Sequence, residues 1–353
     1  MILVILTSKR DNLVMETLNR IGGVTLKNIQ KKILLITTGG TIASKKDRQT
    51  GQIHSGVISG FSLASLIPSW KDFSCEVHDL FQLPSGHLTM SNLRKVSQII
   101  DQAFKEEKCT GVVLTHGTDT LEETAYFLDL ILQNNGPVVL TGSQLPPEEI
   151  ASDALRNLQD SLQVAISEES KDKGVVVVFN GKIYAAAEVI KIHTSNLDAF
   201  GAPGWGPIGY LDEKEVVYKR VVNNHVKLAL GNMDKESKVY IIKFALGMDG
   251  CLIDMALKSG ADGLVLEGFG RGQIPPEAVG QVKEAVNHGI PVVLTSRCYE
   301  GTVRGVYDYK GSAAQLERLG VILGNDLPGQ KARIKLMLAL NNQMSITEIK
   351  NLF

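Results

Sequence analysis

Hydrophobic residues in the first half of the chain follow two alternating patterns. Short runs rich in β-branched residues predict buried strands. They lie at 33–37, 111–115, 137–141 and 174–179. Apolar residues at helical spacing separate most of these runs, at 59–66, 91–106, 121–133 and 152–167. Near-continuous apolar strands that alternate with amphipathic helices predict an α/β fold, with a parallel sheet covered on both faces.

The alternation stops near residue 211 and returns near residue 239. The more polar stretch 213–238 is predicted to be a linker between domains. Beyond it, strand-like runs and helical patterns alternate again. The strands are expected at 239–246, 263–270 and 291–297, and the helices at 251–259, 276–288 and 330–341. We therefore predict a larger N-terminal domain with a flavodoxin-like parallel sheet at 31–212 and a smaller C-terminal α/β domain at 239–353. Residues 1–30 are predicted to be an extension of unknown role.

Composition limits the classes of ligand. The chain has 353 residues, is 44% hydrophobic and carries a formal net charge of -1. Lys and Arg are scattered, so the sequence has no electrostatic footprint for nucleic acid or an anionic membrane. The opening MILVIL is too short for a signal peptide or a membrane span. We expect a cytoplasmic protein that binds a small neutral or zwitterionic ligand.

The spacing of cysteines and histidines bears on metals and disulfides. Cys75, Cys109, Cys251 and Cys298 form no C-x-x-C pair, which argues against a thiolate zinc site and a disulfide scaffold. The seven histidines show no paired ligand spacing. We predict reduced, buried thiols and neither a metal nor a cofactor.

The predicted strand at 111–115 ends in polar residues and then gives way to a helix. The segment reads Thr115-His116-Gly117-Thr118-Asp119-Thr120. Open α/β sheets bind ligands at this carboxyl end of their strands. Asp119 or Thr120 could instead cap the helix, with Glu122 and Glu123 complementing its dipole. If the segment is functional, Thr118 and Asp119 offer a hydroxyl and a carboxylate to hold an ammonium group or orient a base.

A second candidate turn, TTGGTIA at 37–43, follows the first predicted strand. Paired glycines let the backbone approach a ligand and leave N–H groups pointing inward. The lysine-hydroxyl pair of a phosphate loop is missing, so nucleotide binding is not expected despite Lys45 and Lys46. Thr41 either caps a tight turn or is a nucleophile, which would need a base and oxyanion donors.

Lys191 is a lone lysine between Ile190 and Ile192, after an apolar run. A lysine in this position commonly buries its stem and leaves its amine in water. The alternative is an amine buried beside Asp119, where it could take part in chemistry.

From about Lys32 to Phe353 the chain resembles the bacterial-type L-asparaginases, amidohydrolases that release ammonia from the side chain of asparagine. Two separate signatures carry the resemblance, TTGGTIA at 37–43 and VVLTHGTDTLEETAYFLDL at 112–130. Further similarity lies at 139–143, at 152–158, around Lys191 and at 331–333. The cytoplasmic type I branch is the most similar. The resemblance implies a homodimer or a homotetramer that acts on L-asparagine, with L-glutamine as a further candidate substrate.

The resemblance also implies catalytic roles. Thr41 matches the nucleophilic threonine of the family, and Thr118, Asp119 and Lys191 match its hydrogen-bonded triad. Thr41 would attack the amide carbon to give an acyl-enzyme. A water near Thr118 would then hydrolyse the ester.

The same resemblance implies substrate contacts. Ser85 matches the serine that holds the substrate α-carboxylate. Thr118 and Asp119 are expected to contact the substrate as well, together with the backbone at Gly40 and Gly117.

The sequence departs from the family pattern in three places. The loop at 44–60 has no tyrosine, although relatives usually use one there to help activate the nucleophile. His54 is one candidate replacement, and the alternative is an ordinary surface histidine. Gly86 stands where many relatives have a glutamine or glutamate that contacts the α-amino group. Residues 244–249 lack the asparagine that periplasmic members send into a neighbouring site, so the preference between asparagine and glutamine stays open.

Two other functions fit the same residues. One is the asparaginase-like subunit of a tRNA amidotransferase, although its N-terminal extension is a longer, folded domain. The other is a non-catalytic amino-acid sensor, which the missing tyrosine suggests.

Overall fold

The computed structural model describes residues 31–47, 49–54, 56–66, 73–222, 226–231 and 236–353. The predicted extension at 1–30 lies outside these residues. The described strands are β1 (Lys31–Gly39), β2 (Lys45–Lys46), β3 (Ile53–His54), β4 (Phe73–Leu83), β5 (Gly111–Thr115), β6 (Val138–Thr141), β7 (Val175–Phe179), β8 (Lys182–Ala185), β9 (Ile190–Lys191), β10 (Phe200–Gly201), β11 (Gly209–Asp212), β12 (Glu215–Tyr218), β13 (Val239–Lys243), β14 (Gly263–Gly268), β15 (Val292–Ser296) and β16 (Ile322–Leu323).

Helices connect most of these strands. The described α-helices are Gly60–Ser65, Met90–Lys105, Leu121–Ile131, Ala154–Ile166, Cys251–Lys258, Val279–Asn287, Ala313–Arg318, Gly329–Asn341 and Ile346–Leu352. Short 3-10 turns occur at Thr41–Ala43, Ser85–His87, Glu168–Ser170 and Pro276–Ala278. Among the described residues, no helix is both long and apolar enough to cross a membrane.

The N-terminal domain is built on an eight-stranded sheet with the order β12-β11-β8-β7-β6-β5-β1-β4. Strands β4, β1, β5, β6 and β7 are parallel, and the remaining three continue the sheet in antiparallel pairs. Thr37 pairs with Thr115, and Thr115 pairs with Thr141, so the carboxyl ends of β1, β5 and β6 lie side by side. The predicted parallel α/β sheet is confirmed.

Alternating residues of the strands belong to two hydrophobic layers, one on each face of the sheet. Ile33, Leu35 and Val113 pack with the helix Ala154–Ile166 on one face of the sheet. Leu34 and Leu114 pack on the other face, against helices Met90–Lys105 and Leu121–Ile131. Because both faces are covered, the strands read as continuous apolar runs in the sequence.

Strand β4 was not among the predicted strands. It lies at the edge of the sheet beside β1, and most of its side chains stay partly exposed. An edge strand of this kind lacks the continuous apolar run that identifies buried strands. Ser85 follows the end of β4 and therefore lies at the same edge of the sheet as the ends of β1 and β5. A hydrogen bond of 3.2 Å from Gly40 N to Leu83 O joins the ends of β1 and β4.

The C-terminal domain contains a parallel sheet with the order β13-β14-β15-β16. Helices Cys251–Lys258 and Val279–Asn287 cover one face, and the helix Gly329–Asn341 covers the other. This last helix also supplies Ile334 and Leu338 to the core of the N-terminal domain. It therefore joins the two domains through a shared apolar contact.

The stretch 213–238 contains a strand that the sequence did not indicate. Glu215–Tyr218 forms β12, which pairs with β11 in an antiparallel hairpin at the edge of the first sheet. The side chains of β12 are exposed or only partly buried, and the strand is too short to show the apolar run that predicts a buried strand. In the structure, the N-terminal sheet therefore continues past residue 212.

Candidate active site

The turns after β1 and β5 meet at their glycines. Gly40 has φ 80° and ψ -177°, and a Cβ on it would lie 2.4 Å from both Cα and N of Gly117. A Cβ on Gly117 would lie 2.9 Å from Cβ and Oγ of Ser85. Such conformations and contacts are accessible to glycine and not to larger residues. The segments that hold Thr41, Ser85 and Thr118 are therefore packed against one another.

Thr41 is the first residue of the 3-10 turn Thr41–Ala43 and is partly exposed. The turn is fixed from behind, because Gly40 O accepts hydrogen bonds from Ala43 N at 3.1 Å and from Ser44 Oγ at 2.7 Å. Thr38 Oγ1 donates to Thr115 O at 2.9 Å and ties the two strand ends together. Thr41 thus lies at the carboxyl edge of the sheet, on a turn that these hydrogen bonds hold in place.

Lys191 reaches the turn after β5 from a distant part of the chain. Its Nζ donates to Thr118 Oγ1 at 2.9 Å and to Asp119 Oδ1 at 2.7 Å. The side chain of Lys191 is 16% exposed, whereas that of Asp119 is 78% exposed. The interpretation of Lys191 as a surface lysine with its amine in water is therefore wrong. The amine faces a hydroxyl and a carboxylate, and the carboxylate remains open to a ligand.

The helix Leu121–Ile131 is not capped in the way that the alternative interpretation required. Thr120 is its N-cap residue, but Thr120 Oγ1 donates to Ser85 O at 2.9 Å instead of accepting from the first turn. Ser85 itself is only 5% exposed. The polar residues of this segment thus contact neighbouring segments of the site.

Glu122 has a role that the sequence did not indicate. The sequence suggested that it complements the helix dipole, but its side chain is buried. Its Oε2 accepts from the backbone N of Lys191 at 2.5 Å, and its Oε1 accepts from Gln330 Nε2 at 2.7 Å. Gln330 lies 208 residues from Glu122 in the chain, and no local pattern marks such a contact.

His116 is fully buried behind the turn after β5. Its Nδ1 lies 2.7 Å from Gly117 O, and its Nε2 lies 3.0 Å from Thr124 Oγ1. Burial lowers the pKa of His116 to about 4, and the hydrogen bond to Gly117 O raises it by less. The ring is therefore neutral near pH 7, with Nδ1–H donating to Gly117 O and Nε2 accepting from Thr124. The hydrogen bond from His116 therefore helps to fix the backbone of Gly117.

The loop without a tyrosine forms a short hairpin, in which Lys45 pairs with His54. His54 is exposed, as expected of an ordinary surface histidine. Lys45 and Lys46 form ion pairs with Glu148 and Glu149, at 3.5 and 2.6 Å. Both lysines thus fasten the hairpin to the loop after β6.

The positions that depart from the family pattern lie in open surroundings. At Gly86, a Cβ would meet no described atom within 4 Å. In the segment 244–249, Phe244 is buried, whereas Leu246 is 99% exposed. Gly86 and the exposed Leu246 therefore have room for a larger side chain, whereas Phe244 does not.

Three of the four cysteines differ from the prediction of buried thiols. All four thiols are free, but only Cys109 is buried, whereas Cys75 is partly buried and Cys251 and Cys298 are exposed. Cys251 begins a helix and Cys298 lies in the loop after β15, where the local apolar pattern does not report exposure. Across the described parts of the chain, His, Cys, Asp and Glu side chains form no group of three that could hold a metal ion.

Comparisons with known proteins cover both domains. Residues 32–223 match the family model of the asparaginase N-terminal domain, and residues 238–353 match that of the glutaminase/asparaginase C-terminal domain. The L-asparaginase of Bacillus licheniformis is 43% identical over 313 residues, which are 88% of this chain and 96% of that protein.

Two further relatives extend the comparison. A solved structure of a probable cytoplasmic L-asparaginase from Campylobacter jejuni matches with a TM-score of 0.82 at 31% identity, and covers 91% of this chain and 98% of that one. A glutamyl-tRNA(Gln) amidotransferase subunit of Metallosphaera sedula is 31% identical over 91% of this chain and 74% of that protein. On the match of both family models and the identity to the Bacillus licheniformis protein, this chain belongs to the asparaginase family.

Proposed function

We propose that this protein is an L-asparaginase, which hydrolyses the side-chain amide of L-asparagine to L-aspartate and ammonia with Thr41 as nucleophile. The observation that carries the proposal is the hydrogen bond of 2.9 Å between Lys191 Nζ and Thr118 Oγ1, beside a turn whose Gly117 packs against Gly40. A hydroxyl on a rigid glycine turn and a second hydroxyl paired with an amine suit acyl transfer.

The free amino acid is held at its charged ends. Ser85 Oγ and nearby backbone N–H groups suit the α-carboxylate, and the exposed carboxylate of Asp119 suits the α-ammonium. These contacts leave the side-chain amide to face Thr41. Backbone N–H groups of the glycine turns are the donors that would stabilise the oxyanion.

The reaction proceeds in two steps. Thr41 Oγ1 bonds to the amide carbon, the C–N bond breaks, and the hydroxyl proton ends on the departing ammonia. A water held near Thr118 then adds to the acyl carbon, and its proton returns to Thr41 Oγ1 as the ester bond breaks. The Thr118–Lys191 pair provides the path on which these protons move, so ping-pong kinetics are expected.

Three relatives support parts of this proposal to different degrees. The protein from Bacillus licheniformis is named an L-asparaginase, and that from Campylobacter jejuni a probable cytoplasmic one. We extend the activity and the cytoplasmic location to this chain, together with a homo-oligomeric state. The match to the amidotransferase subunit of Metallosphaera sedula favours a second candidate, amide hydrolysis in a complex that acts on tRNA.

Steady-state ammonia release from asparagine and from glutamine tests the proposal. The purified protein alone should turn over asparagine, whereas Thr41→Ala and Thr118→Val should each lower kcat by at least about two orders of magnitude. Thr110→Val is the matched control, because Thr110 Oγ1 bonds Lys32 O before β5 begins, at the other end of that strand. It should keep the wild-type kcat.

Each other outcome points elsewhere. Unchanged turnover in Thr41→Ala would move the nucleophile to another residue. Asparagine binding without turnover would indicate a sensor. Turnover only with a partner subunit and tRNA would indicate the amidotransferase.

A further inference from the structure

The backbone of Lys191 is held from two sides. Lys191 faces Phe200 across the β9–β10 ribbon, and the next amide, Ile192 N, donates to Ala199 O at 2.8 Å. Successive amides of a strand point to opposite edges, so the N–H of Lys191 points away from β10. It donates instead to Glu122 Oε2 at 2.5 Å.

Glu122 is in turn held by the C-terminal domain. Its other carboxylate oxygen accepts from Gln330 Nε2 at 2.7 Å, and the carboxylate is buried. Hydrogen bonds to a carboxylate are stronger and more directional than neutral ones. Gln330 is the second residue of the helix Gly329–Asn341, so a side chain of the C-terminal domain is linked to the backbone of Lys191 through Glu122.

The next residue of that helix holds the same segment from its other end. Lys331 is fully buried, and its Nζ donates to the carbonyls of Ala186 and Ala187 at 2.8 and 3.1 Å and to that of Val189. Burial lowers the pKa of Lys331 to about 8. Nearby carboxylates raise this pKa by less, and Glu122 makes the largest of these contributions. Two consecutive side chains of the C-terminal helix thus hold this segment, Lys331 directly and Gln330 through Glu122.

We infer that Gln330 is a positioning residue for Lys191 and acts through Glu122. The C-terminal domain thereby fixes where the Lys191 amine stands relative to Thr118. The inference rests on the proposed role of Lys191 in asparagine hydrolysis. A displacement of about 1 Å would break a hydrogen bond of this kind and disturb the proton path while leaving the substrate contacts of Ser85 intact.

Gln330→Leu tests the inference, because it removes the donor and keeps most of the volume. We expect kcat for asparagine to fall about tenfold, as when a buried charged group loses one hydrogen bond. KM should stay within about threefold, since the substrate contacts are made by other residues. Gln133→Leu is the matched control. Gln133 also ties two segments together, through the carbonyls of Ile131 and Leu228, but it has no part in the hydrogen bonds described for Glu122 and Lys191. It should keep the wild-type kcat.

Gln330→Glu separates positioning from folding, because the new side chain has the same shape. At about pH 8 the introduced carboxylate repels Glu122, so kcat should fall at least as far as in Gln330→Leu. Protonation of the introduced group restores a donor to Glu122, while the Lys331 amine and the carboxylates of Glu123, Asp129 and Glu188 surround both variants alike. The kcat of Gln330→Glu relative to wild type at the same pH should therefore rise as the pH falls, and that of Gln330→Leu should not.

The outcomes are distinguishable. A wild-type protein without asparagine turnover would remove the proposed function. An active wild type with undiminished kcat in Gln330→Leu would overturn the positioning role alone. Equal losses of kcat in Gln330→Leu and Gln133→Leu would also overturn it, because they would indicate general destabilisation. A rise of KM in Gln330→Leu as large as the fall of kcat would overturn it as well, because it would place the effect on substrate binding.

Discussion

The amine of Lys191 lies 2.9 Å from the hydroxyl of Thr118, although 73 residues separate the two in the chain. The same amine donates to Asp119 at 2.7 Å. Lys191 is largely buried and Asp119 is largely exposed, so the two members of this ion pair differ in their surroundings. The lysine lies toward the interior, and most of the aspartate side chain is open to solvent.

Removal of this amine should abolish most turnover. Lys191→Met keeps the apolar stem and removes the charge, so Thr118 loses its hydrogen-bond donor. We expect kcat for asparagine to fall by at least about two orders of magnitude. Lys182→Met is the matched control, because Lys182 also pairs with an aspartate, Asp198, at 2.8 Å. Lys182 is more exposed than Lys191 and begins β8, so the loss of this pair should leave kcat unchanged. A Lys191→Met variant with wild-type kcat would exclude the amine from the chemistry.

The glycines of the two turns should differ from a neighbouring glycine in their tolerance of alanine. Gly40→Ala places a Cβ 2.4 Å from the backbone of Gly117 and requires a φ of 80°. Strain of this kind costs about 1–3 kcal/mol, and it moves the turn that holds Thr41. We expect kcat to fall at least about tenfold.

Gly117→Ala should act on binding, because its Cβ would displace Ser85 from 2.9 Å and so disturb the carboxylate contact. KM for asparagine should rise by about tenfold, and more than kcat falls. Gly86→Ala is the control for both glycines, since its Cβ would meet no described atom within 4 Å. Its kinetics should match the wild type. If all three alanine variants behaved alike, the close contacts at Gly40 and Gly117 would not be functional.

Local patterns sufficed for the elements that carry Thr41 and Thr118. Strands β1 and β5 are buried on both faces, so each appears as an apolar run, and adjacent parallel strands bring their ends together. Only the resemblance of the chain to the asparaginase family predicts a role for Ser85, because the edge strand that precedes it has no regular alternation of apolar and polar residues.

The contact between Glu122 and Gln330 could not be predicted from either segment. Judged from its own segment, Glu122 is an acidic residue in the first turn of a helix, and Gln330 is a glutamine in the first turn of another helix. Their hydrogen bond of 2.7 Å exists because the helix Gly329–Asn341 packs against the N-terminal domain. Tertiary packing over 208 residues of chain leaves no mark in a local pattern.

His116 should make stability depend on pH in a defined direction. Burial lowers its pKa from 6.5 to about 4 in the folded protein. Between these values the unfolded chain binds a proton that the folded protein does not bind. The free energy of unfolding therefore falls as the pH falls from about 6.5 to about 4, by about 3 kcal/mol from this residue. Stability is lost because protonation would place a positive charge on a ring that is buried away from water.

Urea denaturation between about pH 4.5 and pH 7.5 measures this effect. His116→Gln should show a shallower fall of unfolding free energy with decreasing pH than the wild type. Asp101, Glu123 and Asp160 have pKa values raised by burial and act in the opposite direction, but they are present in both proteins and cancel in the comparison. His288→Gln, at an exposed histidine of the C-terminal domain, is the control and should keep the wild-type slope. Equal slopes in His116→Gln and wild type would mean that folding does not lower the pKa of His116, and that the ring does not stay neutral behind Gly117 as the pH falls.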